Sequence, residues 1–525
     1  MCLAHCSDGE RTAALKHVSE SGVIDASGVT ITEELLEQIL AAVPLDADGK
    51  RVIKACQFYY ATFSGVADFK KAIFSGDAHF DYATFSGGAR FDHATFSNRA
   101  IFLLAVFCGR ASFRETIFGG AASFRHVEFG DFADFEKAIF SGDAWFYFVT
   151  FSRSAFFSEV RFEQARQFGP VLIHSDLELR DAQFTQLVEI DVSAARLRCR
   201  RTRFAGGVQF RLRWAQVELV ESELGSRSML TGAPRFFYGS LASATGPVAS
   251  TPGFSEEKEK QIAKALAKSG GEVAERPRLL SLQGTDVAGL VLSNVTLTDC
   301  RFEGAHHLDQ LRLESNVNFG LSPVPLVFRW WRLDRRQVIA EEKAWRAARR
   351  PHSHRWDAPW WPPKWQQPSA LEPGQVAGLY RALRKGREDA KDEPDAADFY
   401  YGEMEMRRHA RPSHRIPTQR LVERIILTAY WLVSGYGLRA NRAVAWLAAV
   451  TAILAFAFYR WGFTIPPHPD TYWTSLLYSF RATLSLTDSD VKLTALGQLL
   501  QAVLRLTGPV LLGLALLALR GRVRR

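Results

Sequence analysis

At 525 residues the chain has room for three or four structural units. Its formal charge of +9 is uneven: from Arg51 to Phe168 thirteen Lys/Arg face twelve Asp/Glu, so the basic excess lies in the C-terminal half and must be explained there. Six cysteines (Cys2, Cys6, Cys56, Cys108, Cys199, Cys300) without a C-x-x-C read as reduced cytosolic thiols.

Residues 1–30 lack an apolar run, so no signal peptide is expected. Residues 31–43 read as a short amphipathic helix. Thr32 is its N-cap, Glu33 and Glu34 suit the first turn, Leu35, Leu36, Ile39, Leu40 and Val43 form one apolar face, and Pro44 stops it. Asp46-Ala47-Asp48-Gly49 lacks the later ligands of a calcium loop and reads as an ordinary turn.

From Phe58 to Phe168 phenylalanine recurs with alternating spacing of five and six, giving twenty-one phenylalanines on an eleven-residue period. The stretch is rich in Gly, Ser, Thr and Phe, which are poor helix formers. Two residues before each Phe stands a small or β-branched residue, as at Ala67/Phe69, Ala78/Phe80 and Val127/Phe129; only Arg166 before Phe168 departs from this. Residues two apart share a face on extended backbone. The stretch therefore reads as very short extended faces with the small residue and the Phe both inward. Ser64-Gly65 and Ser75-Gly76 supply the extra residue at corners. Cys56 and Cys300, two before Phe58 and Phe302, read as small core residues.

This pattern resembles the pentapeptide-repeat family. The resemblance implies a mainly β fold, a right-handed quadrilateral β-helix, with two eleven-residue units per coil and about five coils in the ladder. The ladder loosens after Phe168 and continues through Leu179, Phe184, Ile190, Phe204 and Phe210. It breaks in a Gly/Ser/Pro-rich insertion at 225–278, where Ser255–Ser269 could form an exposed helix. It resumes at Leu282, Val287, Leu292, Leu297 and Phe302, on coils expected to stack on the same solenoid. The expected divisions are an N-terminal helical cap at 1–50, solenoid at 51–224, insertion at 225–278, further coils at 279–325, a Trp-rich loop with a helical hairpin at 326–415, and a membrane domain at 416–525.

The Trp-rich loop is expected to fold over the solenoid end. Its His352-Ser353-His354 lacks a third ligand at metal spacing. In the hairpin, Val376, Tyr380 and Leu383 share one face, and Ala397, Tyr400, Tyr401 and Met404 another. The turn lies near Asp392–Asp395, with Pro394 as breaker. The basic run Arg407, Arg408, Arg411, Arg415, Arg420, Arg424 precedes a membrane segment, which favours anionic lipid heads over nucleic acid.

Ala443–Tyr459 is seventeen residues without a charge, and Leu493–Leu519 is twenty-seven with only Arg505. Both can span, as segments 443–461 and 493–519. Arginines at 439 and 442, and at 520, 522, 524 and 525, place both termini in the cytoplasm, with the plasma membrane as the expected location. Residues 418–434 read as an interfacial helix, and Gly435-Tyr436-Gly437 as the turn into the first span. Residues 471–487 are too short to cross and return, and read as re-entrant. Span, re-entrant helix, span resembles the two-helix pore domain of potassium-channel type, and this implies a homo-oligomer, a tetramer if it conducts. Thr483, Leu484, Ser485, Leu486, Thr487 and Asp488 fall at the filter position but contain no glycine, which a potassium filter needs. Arg481 and Arg505 would oppose a cation if they faced a pore. Arg505 either snorkels to the outer interface or pairs. Thr507-Gly508-Pro509 is expected to kink its helix.

No Walker, Rossmann, G-x-S-x-G or H-E-x-x-H motif occurs, so an enzyme is not expected, and no cofactor or metal is implied. Three readings stand. One is a membrane protein with a channel-like pore domain and a cytoplasmic interaction solenoid. The second is a non-conducting membrane-anchored scaffold whose solenoid docks an unknown protein. The third, a gyrase-directed DNA mimic as in some pentapeptide-repeat proteins, is opposed by the near-neutral ladder.

Overall fold

The computed structural model describes residues 8–233, 276–314, 316–322, 336–349, 371–410, 417–463, 472–484 and 493–523, with Lys260 and Lys264 isolated between. The rest of the expected helix Ser255–Ser269, six of the expected loop's tryptophans (Trp330, Trp331, Trp356, Trp360, Trp361, Trp365), His352 and His354, Arg411, Arg415, and Ser485–Asp488 lie outside these residues. The chain divides into two compact units, Met1–Lys343 and Ala344–Arg525.

The first unit is a β-solenoid of about ten turns between residues 52 and 313. In the ladder each turn has four faces of two or three residues, such as Ala55–Gln57, Thr62–Phe63, Ala67–Asp68 and Ile73–Phe74. Each face pairs in parallel with its counterpart one coil on: Phe63 with Phe85, Ala89 with Ala111, Thr95 with Ile117, Ala100 with Ala122. Two kinds of corner alternate. One is a tight turn whose second residue is left-handed, as at Tyr60, Lys71, Tyr82 and His93 (φ 56° to 57°). The other is the Ser-Gly bend. There the coils approach so closely that a Cβ on Gly87 would stand 2.5 Å from the Gly65 carbonyl oxygen, hence glycine.

Inside, the phenylalanines form four columns. Phe63, Phe85, Phe107, Phe129 and Phe151 stack at 4.5 to 4.9 Å with interplanar angles of 1° to 11°. Within a coil, neighbouring rings meet edge to face, as Phe91 and Phe102 do at 84°. Cys56 and Cys300 are fully buried in this core.

At Phe168 the pattern changes, and Arg166 marks the point. Arg166 is exposed and Ala165 takes the inward place. Two long strands follow, Gln167–Glu178 and Val188–Arg200. Their pairing slips twice, so the coil shortens from 22 residues at Gln167↔Glu189 to 20 at Asp176↔Arg196. The coils up to the insertion keep the shorter period, and the phenylalanine column carries on through Phe162, Phe184 and Phe204. Beyond the insertion the register is recovered: Gln216–Val220 pairs with Arg278–Ser281, and Met229–Gly232 with Val291–Ser293.

Both ends of the solenoid are closed. At the N-terminal end, helix α1 (Asp8–Ser21) has only Val18 well buried, so no apolar face announced it. Val23–Asp25 and Thr30–Ile31 already pair with the first ladder coil, and Ile31 stands opposite Phe63. Helix α2 (Glu33–Ala42) buries Leu35, Leu36, Ile39 and Leu40, with Thr32 accepting from the Leu35 amide. The Asp46 carboxylate accepts from the Asp48 and Lys50 amides, an ordinary Asx turn.

At the C-terminal end, Gly320–Leu321 pairs antiparallel with Gln337–Val338, leading into helix α3 (Ala340–Arg349), inside which the unit boundary falls. The Glu341 carboxylate accepts from the open backbone amides of Phe302 and Glu303, and the Lys343 ammonium donates to the Thr298 carbonyl. Burial pushes Glu341 up to about 7, against the pull of those amides.

The second unit is helical. Helices α4 (Pro373–Asp389) and α5 (Glu393–His409) form a hairpin. Buried Arg387 pairs with Asp392 and Asp395 to hold the turn. Pro394 sits in the first turn of α5, where its missing N–H costs nothing, so it starts a helix rather than breaking one. The face of α5 packed on α4 is Phe399 and Gly402, which meet Tyr380. Tyr401 and Met404 face the other way, towards Leu427 and Tyr436. The α5 helix thus has two buried faces, which a one-face reading cannot separate. After it come α6 (Pro417–Ser434), α7 (Ala440–Ala457, continued by a π-turn to Gly462), α8 (Tyr472–Thr483) and α9 (Ala495–Val523).

Candidate functional site

Among the described residues, two helical stretches are long and apolar enough to cross a membrane, Ala440–Gly462 and Ala495–Leu517. Only 22% and 17% of their most apolar windows are buried. Val444, Ile453, Phe456, Leu499, Leu506, Val510 and Leu516 are exposed on them. A core helix of a water-soluble domain would bury such residues.

The two helices meet where α7 ends and α9 begins. Phe463 and Leu493 form an antiparallel bridge, and the Thr494 amide donates to the Gly462 carbonyl at 3.0 Å. Gly497 lies against Gly462, where a Cβ would come within 3.2 Å of its Cα, so two small residues let the backbones touch. Phe463 and Leu493, which flank the stretch that contains α8, therefore lie at one level.

Helix α8 packs between α7 and α9. Phe458, Ala482 and Leu504 form its core contact, flanked by Tyr478, Phe463 and Leu500. Ser475, Ser479 and Thr483 lie on its buried face, at successive four-residue steps. The Tyr472 hydroxyl donates to the Ala452 carbonyl at 3.0 Å, and Gln501 donates to the Tyr478 hydroxyl at 3.0 Å. At its C-terminal end Thr483 is lodged against Gly508, midway along α9, where a Cβ would stand 2.6 Å from the Thr483 carbonyl oxygen.

Of the residues expected in a filter, Thr483 is buried and Leu484 is exposed; Ser485, Leu486, Thr487 and Asp488 lie outside the described residues. Arg481 and Arg505 are exposed. Helix α9 runs unbroken through Pro509, which is also exposed, and Gly508 serves as a contact point with Thr483.

A second cluster lies just ahead of the first apolar helix and was not found from the sequence. Gly435, Tyr436 and Gly437 are all left-handed (φ 55°, 62° and 76°), forming the expected turn. They drive the Tyr436 ring inward, where its hydroxyl donates to buried Glu405 at 3.2 Å. Burial, and then Glu405, push the Tyr436 phenol up from its ordinary range. Glu405 also pairs with Arg408, whose guanidinium lies over the Trp431 ring at 4.3 Å. The Trp431 indole donates to the Tyr401 hydroxyl. Leu421, Val422, Ile425, Ile426 and Leu432 on α6 are exposed, leaving an apolar face beside this polar one.

The family model for pentapeptide repeats (9 copies) matches residues 52–95, 80–128 and 102–150, from just ahead of the phenylalanine ladder through most of it. No curated protein and no solved structure matches the chain.

Proposed function

We propose that this pentapeptide-repeat solenoid is carried by an integral membrane protein whose C-terminal helices are one subunit of an ion pore. Several copies, most simply four by the channel resemblance, bring their re-entrant helices together around the path. One observation carries the reading. The chain leaves at Phe463 and returns at Leu493, and within that excursion α8 ends with Thr483 against Gly508, in the middle of α9. If α7 and α9 cross a bilayer, α8 enters and leaves from one side and ends at mid-depth. A helix end at that depth leaves backbone carbonyls without helical partners, which are stable only inside protein or beside water, and an assembly supplies this.

The positive-inside arrangement of Arg439 and Arg442, and of Arg520 and Arg522, supports a cytoplasmic side for both termini and the solenoid, at the plasma membrane. The exposed apolar face of α6 lies in the interface, with Arg407 and Arg424 towards anionic lipid heads, whereas Arg408 of the expected basic run is held by Glu405 and Trp431 instead. The solenoid, whose outer surface is near neutral, is the docking surface for a protein partner.

A second reading is a non-conducting anchored scaffold, and the absence of glycine between Thr483 and Asp488 favours it. Recording from the purified full chain in a planar bilayer under a salt gradient separates the two. Discrete openings are expected, altered in Arg505→Ala. Silence from protein shown to be folded and inserted would leave the scaffold.

A further inference from the structure

The seam between α8 and α9 has a dry side and a polar edge. On the dry side Ser479, Ala482, Leu504 and Gly508 are buried. Along the edge, Tyr478 and Arg481 stand three residues apart on α8, and Gln501 and Arg505 four apart on α9, so each pair shares a helix face. The two faces are brought together by the Gln501 side chain donating to the Tyr478 hydroxyl. Arg505 acts electrostatically on that same hydroxyl. Both arginines are exposed. Because Gln501 donates to the phenol oxygen, the phenol proton is left to point at another acceptor.

Depth gives this edge its meaning. Arg505 lies ten residues into α9, about 15 Å along the helix axis. Arg481 precedes by two residues the Thr483 that packs at Gly508. A guanidinium facing hydrocarbon at such a depth costs at least about 2.5–3.5 kcal/mol. The same group facing water inside an assembly avoids that cost, and it then sets the sign of the potential there.

We propose that the edge formed by Tyr478, Arg481, Gln501 and Arg505 lines the ion path, and that the permeant ion is a small inorganic anion. This rests on the pore reading above and names its substrate class. Cationic side chains around a narrow path attract anions and exclude cations. The phenol and amide hydrogens replace part of the anion's water shell. Selectivity on this account comes from side chains, so the path needs no glycine-rich carbonyl filter.

The test is the reversal potential of the full chain in planar bilayers under a KCl gradient. It is expected to move towards the chloride equilibrium potential. Arg481→Gln and Arg505→Gln should each lower the chloride-to-potassium permeability ratio several-fold, and Arg505→Lys should keep it. Both side chains are exposed, and an unchanged thermal midpoint in detergent shows that each variant keeps its packing. A reversal near the potassium potential, or a ratio unmoved in both glutamine variants, would overturn the proposal while leaving a pore. Silence from folded, inserted protein would overturn both.

Discussion

Phe102 shows what one ladder residue does. It stacks on Phe80 and Phe124 at 4.9 and 5.0 Å and meets Phe91 and Phe113 edge to face at 5.7 Å. Phe102→Ala opens a cavity across three coils, and it is expected to cost about 3–5 kcal/mol, seen as a lower urea midpoint for the full chain. Phe102→Leu, which keeps most of the volume, should cost far less. Glu341 sets a different dependence. Its folded value of about 7 lies above the ordinary 4.5, so the folded chain binds the proton more tightly than the unfolded one. Stability from this group is therefore full below about pH 4.5 and is lost as pH rises through about 7, by about 3 kcal/mol at most. Amide exchange at Phe302 and Glu303 should quicken over that window. In Glu341→Gln, which keeps one accepting oxygen, the pH dependence of that exchange should flatten.

Among the elements, the long strands Gln167–Glu178 and Val188–Arg200 show why the ladder changes character. Two slips in their pairing remove two residues from the coil, and the coils from there to the insertion keep the shorter period. Those slips leave one trace in the sequence, Arg166 at a place reserved for a small residue. Helix α8 depends on a single small neighbour. Gly508→Ala puts a methyl group 2.6 Å from the Thr483 carbonyl oxygen, against backbone that cannot easily yield. About 1–3 kcal/mol of destabilisation is expected, with a lower thermal midpoint in detergent. Current should be lost with it, because the end of α8 is displaced. Gly513, which has open space around it, should accept alanine without effect.

For the molecule as a whole, location is the decisive matter. The chain is expected to remain with membranes through an alkaline carbonate wash, as a spanning protein does and a peripheral one does not. The cysteines report sidedness. Cys56, Cys199 and Cys300 are buried, and burial pushes their thiols up, whereas Cys108 is exposed on the solenoid. In a Cys2→Ser, Cys6→Ser background an impermeant maleimide should label Cys108 in inside-out vesicles and spare it in sealed right-side-out ones. The opposite pattern would place the solenoid outside.

The sequence by itself determined the solenoid and the two apolar helices, because both are written as periodicities. A Phe every five or six residues with a small residue two before it can be buried only on short, stacked faces, and a long run without charge favours a helix that need not meet water. Only the tertiary structure decided the rest. Ile31 joins the Phe63 column although no ladder surrounds it, Glu341 closes the last coil from 38 residues away, and Tyr436 reaches Glu405 across 31. The edge of Tyr478, Arg481, Gln501 and Arg505 exists only because α8 folds back between two helices. Such contacts join residues with no shared period, and they are set by how backbones approach at Gly462, Gly497 and Gly508, which spacing along the chain does not encode.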